Sequence, residues 1–365
     1  MLRILLGAVS LACALFATPA AARTIYVSPG GNDTNNCLST GQACRTIRQA
    51  VYRTQPGDQV LIAKGDYVGP TWIGRGGAEG KPVVYNFAAG ARLVHDPADD
   101  KSLFTLDVAA PYVRILNGEF VGTLQSITLD QAQANYRAEK ATGKAPTHQR
   151  FNQYCIAIHA DHVQVASTYV HDCSGAGIYA QNVDDVEIAG NRVERTCWWT
   201  LQDPSAIDFH YGRTPLDGKP KGVRILNNTV RDTANLVPFW MDPLGAKPTD
   251  GNGIIVDLAQ GHDAAYAGTV LIQGNTVERS GGSGIRAYGS KLVTMAKNIV
   301  TGSHTCPIDG ASCGDENGEL NFNASTGAVN GNTASITGGR RALFVYKSQV
   351  LQGANTLNGV VDVRP

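Results

Sequence analysis

A six-residue pattern recurs along the chain: Asn, any residue, a small apolar residue, two more residues, then Ser or Thr. Its copies lie at 191–196, 228–233, 275–280, 298–303 and 332–337, spaced by 37, 47, 23 and 34 residues. A unit of roughly 22 to 24 residues with loop insertions of varying length generates such a series, and a period of that size points to a coiled solenoid. The asparagines themselves read as structural, because amides stacked in successive turns satisfy backbone groups and one another.

A chain of 365 residues exceeds what most single cores hold, a limit a solenoid escapes because its core grows along an axis. Forty-one glycines and an aromatic fraction of 7% suit tight turns between short stacked strands. Acids and bases balance at 31 each, which argues against nucleic acid or an anionic membrane as partner. Arg3, the apolar run 4–16 and Ala20-Ala21-Ala22 read as a secretory signal peptide over 1–22. The run is too short to span a bilayer. Residues 23–365 are then one exported domain, periplasmic or extracellular, expected to act as a monomer away from membranes.

Export places the cysteines in an oxidising compartment. Cys37 with Cys44 and Cys306 with Cys313 each bracket a short loop and are expected as local disulfides. Cys173 and Cys197 fall near the same point of successive repeats and could bridge neighbouring coils, which leaves Cys155 odd. Residues 24–28 read as a first strand. Ile47, Ala50 and Val51 have helical spacing within 45–53, and a short amphipathic helix there would cover the open first coil. Two stretches break the rhythm: 124–150, rich in Ala, Gln, Lys and Glu, reads as a partly helical excursion, and 234–251, with Pro238, Trp240, Pro243 and Pro248, as a loop insertion.

The opening Tyr26-Val27-Ser28-Pro29-Gly30-Gly31-Asn32-Asp33, then Arg45-Thr46-Ile47, Pro56-Gly57-Asp58-Gln59-Val60 and Lys64-Gly65-Asp66-Tyr67, resembles the start of secreted right-handed parallel β-helix proteins. Polysaccharide lyases and uronan epimerases of the pectate-lyase-like group share that start. The resemblance implies an all-β, single-stranded right-handed parallel β-helix with an N-terminal capping helix, acting on a polysaccharide, with an acidic glycan as the expected partner.

Four repeats carry an apolar strand: 177–181, 206–210, 253–257 and 284–288, and 320–323 continues the series. Side chains alternate along a strand. Ile178, Ala180, Ile207, Phe209, Ile254, Val256, Ile285 and Ala287 can all point inward together, whereas the opposite register would bury Asp208, His210, Asp257 and Arg286. Two outward columns follow: Tyr179, Asp208, Ile255, Arg286, Asn321 and Gln181, His210, Asp257, Tyr288, Asn323, with His159 preceding Gln181. Asp208, His210, Asp257, Arg286 and Tyr288 are the candidate catalytic groups. His159, Tyr179, Asn252, Asn321 and Asn323 are candidate substrate contacts, joined by Trp198, Trp199 and Trp240, whose rings could stack on sugars or plug gaps beneath loops. His171, His262 and His304 fall in turns and receive no role. Asp203, Asp242 and Asp250 are oxygen donors that could hold Ca2+, although no calcium-loop spacing is present.

Ile207-Asp208-Phe209-His210 also resembles the Asp-Pro-His motif of mannuronan C5-epimerases, with Phe209 in place of Pro; the resemblance implies proton transfer by Asp208 and His210. The leading expectation is a lyase that abstracts the C5 proton of a uronate and expels the C4 oxygen, with Arg286 neutralising the carboxylate. A uronan C5-epimerase uses the same proton abstraction. An inverting glycoside hydrolase is a further alternative, since Asp208 and Asp257 lie diagonally on adjacent rungs, about 8 Å apart by strand spacing. A non-catalytic glycan-binding surface protein is the last.

Overall fold

A computed structural model describes residues 22–241, 247–309, 311–313 and 318–365. The signal peptide expected over 1–22 lies outside the described residues except for Ala22, as does Asp242. Among the described residues, thirty-one short strands wind into three parallel sheets of 11, 10 and 10 strands. Each coil gives one strand to each sheet, so a strand pairs with the one a full turn later, and the chain forms a right-handed parallel β-helix.

The interior is a stack of like on like. Ile115, Val165, Ile188, Ile225, Ile272, Met295 and Val329 sit directly above one another in the 11-stranded sheet. Ile156, Ile178, Ile207, Ile254, Ile285, Leu320 and Leu343 do the same in the sheet that carries the candidate site. All are fully buried. Branched aliphatic side chains repeated at one rung spacing interdigitate without gaps, and this burial drives the coiling.

The corners are made by residues in the left-handed region. Tyr211, Leu258, Gly289, Ala324 and Lys347 each follow the outward residue that ends a rung of the site sheet, with φ between 47° and 61°. The outward column Gln181, His210, Asp257, Tyr288, Asn323 therefore stands at the point where each rung turns away, in one line along the axis.

At a second corner the asparagines form an unbroken ladder. The side-chain oxygen of Asn228 accepts from the backbone N–H and the amide of Asn191, and the relation repeats through Asn275, Asn298, Asn332 and Asn355. Each amide also donates to a backbone carbonyl of the preceding turn, as Asn275 does to Ile225 at 2.9 Å. Asn355 escapes the sequence pattern because Val360 stands where the other copies have Ser or Thr.

The capping helix is Ile47–Arg53, starting two residues later than the apolar spacing implied because Thr46 is the extended N-cap and accepts from Gln49 N–H. The excursion contains the helix Leu129–Thr142, opened by a Thr128/Gln131 capping box and closed by Gly143 at φ 64°. Cys37–Cys44 and Cys306–Cys313 pair as expected. The third bridge corrects the sequence reading: Cys173 bonds Cys155, and Cys197 is a buried free thiol. The rung partner of Cys173 is Thr196, not Cys197. One residue of slip turns a side chain to the other face, so Cys197 cannot meet Cys173.

Candidate functional site

The register of the site sheet follows the expected columns. Tyr179 lies over Asp208, Asp208 over Ile255, Ile255 over Arg286 and Arg286 over Asn321; Gln181, His210, Asp257, Tyr288 and Asn323 form the parallel column. Pointing away from the apolar interior does not make every one of these groups accessible, however. Asp208 is 5% exposed and Asn321 is fully buried. The reach of a substrate is limited to the second column and to what projects beside it.

His210 is the centre of what remains. The Tyr179 hydroxyl lies 3.0 Å from its Nδ1, and Asp257 Oδ2 lies 3.7 Å from its Nε2. Burial, reinforced by His262, pushes the imidazole down to about 4, so the ring is neutral near pH 7. Tyr179 is 9% exposed and burial holds its hydroxyl far above the ordinary phenol value, so it stays protonated. Tyr179 therefore orients His210 rather than contacting substrate freely. Asp257, partly exposed, is pushed up to about 7 by burial and by Asp250.

Asp208 sits beneath this line. One carboxyl oxygen accepts from Ser205 N–H at 3.2 Å and the other is buried without a partner. Burial, with Asp257 and Asp250 nearby, raises it well above the usual carboxylate range and favours the neutral acid. Arg286 is not a free cation. Its Nη1 donates to Asp250 at 2.6 Å, and its guanidinium lies 5.0 Å from the Tyr288 ring centre. Tyr288 is the most exposed member of the patch.

Several expected substrate contacts serve the fold. Asn252 is fully buried, donates to Ser205 and Asp250, and accepts from Ser283 N–H. Asn321 donates to Ser283 in the same short ladder. Trp199 is 3% exposed and its indole N–H donates to the Leu124 carbonyl; Trp198 donates to the Asp232 carbonyl. Both join Trp240, Leu201 and Phe151 in a second apolar cluster that fastens the helical excursion and the 234–251 loop to the coils. Large rings fill the space under long insertions: Trp199 is buried in this cluster, and Trp198 and Trp240 are partly buried against it. His159 stands in the column two rungs from His210 and bonds Asp107 at 2.8 Å. Asn323 remains on the open wall.

Three groups at the site were missed from sequence. Tyr211 stacks between His210, at 3.8 Å, and His262, at 3.6 Å. His262 arrives on a loop that folds back across the corner, and no local pattern announces that. Asp107 was legible: Leu106 and Val108 alternate inward, so Asp107 must point out. The calcium donors are engaged by the protein, Asp203 by Asn235 and Thr249, Asp250 by Arg286 and Asn252. Among the described residues no group of three or more His, Cys, Asp or Glu is arranged to hold a metal ion.

No family model and no curated protein sequence matches the chain. Solved structures do. An alginate lyase from Paenibacillus sp. str. FPU-7 superposes with a TM-score of 0.52 at 13% identity, covering 94% of this chain and 97% of that one. A pectate lyase gives a TM-score of 0.55 at 14% identity over 95% of this chain and 79% of its own. A lacto-N-biosidase from Eubacterium ramulus gives 0.55 at 13% identity over 93% and 68%. At these identities the likeness is one of architecture: the chain has the right-handed parallel β-helix fold seen in these proteins.

Proposed function

We propose that the protein is an exported enzyme acting on an acidic polysaccharide, and that it cleaves the chain by β-elimination at a uronate. Three disulfides fit an oxidising compartment outside the cytoplasm, and the fold is shared with structures named as polysaccharide lyases and glycoside hydrolases. The observation that carries the reaction is His210: a neutral imidazole, fixed by Tyr179 and partly exposed beside a carboxyl that holds a proton near neutral pH.

With its own proton on Nδ1, donated to the Tyr179 oxygen, His210 presents the Nε2 lone pair to C5 of the sugar. Nε2 takes the C5 proton, the C4=C5 double bond forms, and the C4–O bond breaks. The leaving oxygen takes a proton from Asp257. Base and acid lie side by side, so both act on one face of the ring. The Arg286 guanidinium, held in place by Asp250, lowers the cost of negative charge developing on the uronate carboxyl. Proton transfer by positioned groups supplies about 10²- to 10⁴-fold of rate. His210→Ala is accordingly expected to lower kcat/KM by about 10³-fold with the fold unchanged by circular dichroism.

The inverting-hydrolase reading needs two accessible carboxyls flanking the bond. Burial of Asp208 leaves only Asp257 open, which disfavours it. The pH profile follows from the two groups. His210 must be unprotonated, so the rate rises with pH through about 4; Asp257 must be protonated, so it falls above about 7. Incubating the mature protein with polygalacturonate, alginate and hyaluronan and recording both ultraviolet absorbance and reducing ends tests the proposal. New reducing ends without the absorbance of an unsaturated uronate would replace the lyase by a hydrolase.

A further inference from the structure

Of the four tryptophans, all among the described residues, the one that is more than half exposed is Trp72, on the strand Thr71–Ile73. It is 59% exposed on the outer wall of the site sheet. Its rung partner is Asp107, followed in the same column by Ala157, Tyr179 and Asp208. Four rung steps at about 4.8 Å put it about 19 Å from Asp208 along the axis, with the Asp107–His159 pair between them on the same wall.

The indole is laid down, not waving. A Cβ at Gly74 would fall well inside contact distance of Trp72 Cη2 and Cζ3, so the six-membered ring rests on the Gly74 backbone. Gly74 is not in the left-handed region, so its backbone conformation does not demand glycine; the close approach of the ring does. Arg75, the next residue, donates to the Tyr52 carbonyl at 2.7 Å and ties the segment to the capping helix. The indole has one face against backbone and is more than half exposed to solvent. It suits the apolar face of a sugar ring, with little conformational freedom left to lose on binding.

We infer that Trp72 and Gly74 form a distal sugar-stacking platform, so that the glycan lies along the helix axis and occupies several rungs between Trp72 and His210. The inference rests on the reading that this wall binds a polysaccharide and extends it to a second, separate contact. The occupant is the same glycan chain, because Trp72 stands on the same face, in the Tyr179–Asp208 column beside the one that carries His210.

The test is affinity electrophoresis of the full protein in gels containing polygalacturonate, alginate or hyaluronan, with turnover measured in parallel. Trp72→Ala and Gly74→Ala are each expected to weaken binding of the retained polymer about tenfold, equivalent to about 1.4 kcal/mol, and Trp72→Phe to recover most of it. Gly74→Ala leaves the indole present and only displaces it, so equal losses in the two variants identify the seated ring. Wild-type binding in both variants overturns the platform, as does failure of all three polymers to retard the wild-type protein. Turnover with unchanged binding in the variants would sink the platform and leave the lyase reading standing. Weakened binding in the variants with no turnover of any polymer would do the reverse.

Discussion

Asn275→Ala is expected to destabilise the protein by about 4 kcal/mol, the effect of two buried donors left without an acceptor at about 2 kcal/mol each. The side-chain oxygen of Asn275 accepts from both the backbone N–H and the side-chain amide of Asn228, each at 2.9 Å. Water cannot take its place, because Asn228 and Asn275 are both buried in the corner. Asn355→Ala, at the partly exposed last step of the same ladder, should cost only about 1 kcal/mol, since water can replace the lost bonds there. Urea denaturation of both variants measures the contrast. Equal losses at the two positions would show that the ladder is not stabilised by excluding water.

Asp208→Asn should change the pH dependence of stability in a defined direction. The folded-state pKa of Asp208 is raised by burial first and then by Asp257 and Asp250. The folded protein therefore binds a proton that the unfolded chain releases above its ordinary carboxylate value of about 3.9. By linkage, this group makes wild-type stability fall by about 1.4 kcal/mol per pH unit above that value, until the raised folded-state pKa is reached. The amide of the variant cannot titrate. The difference in stability between variant and wild type should widen in favour of the variant as the pH rises above the ordinary carboxylate value. Denaturation at pH 5, 6 and 7 checks it, and a pH-independent difference would mean that Asp208 is ionised in the fold. Expecting this residue only to act on substrate, as an outward strand position implies, overlooked the layer of Tyr154, Tyr179 and the 198–205 loop that closes over it.

How much of this could be read from residues alone depends on range. The capping helix, the strand register and the membership of both outward columns follow from alternation within single strands, and they hold rung by rung. Burying Asp208, His210, Asp257 or Arg286 in an aliphatic stack would be so unfavourable that one register is available. Groups brought from other coils or loops were not legible. Cys155 meets Cys173 because a corner aligns them, Asp250 claims Arg286 from an insertion, and His262 returns across a turn to cover Tyr211. Trp198, Trp199 and Trp240 could equally have faced sugar or filled space, because composition does not say what lies above a ring.

The chain's own order of residues thus settled the coil, its repeat and which side chains leave the apolar interior, since these depend on period-two alternation and on amides stacking at one spacing. Only the assembled molecule decided which of those outward groups meet water. Exposure on a solenoid wall is set by the loops that lie over it, and their paths depend on contacts between residues distant in sequence. That covering leaves His210, Asp257, Tyr288 and Trp72 open, and shuts Asp208, Tyr179 and Asn321 away.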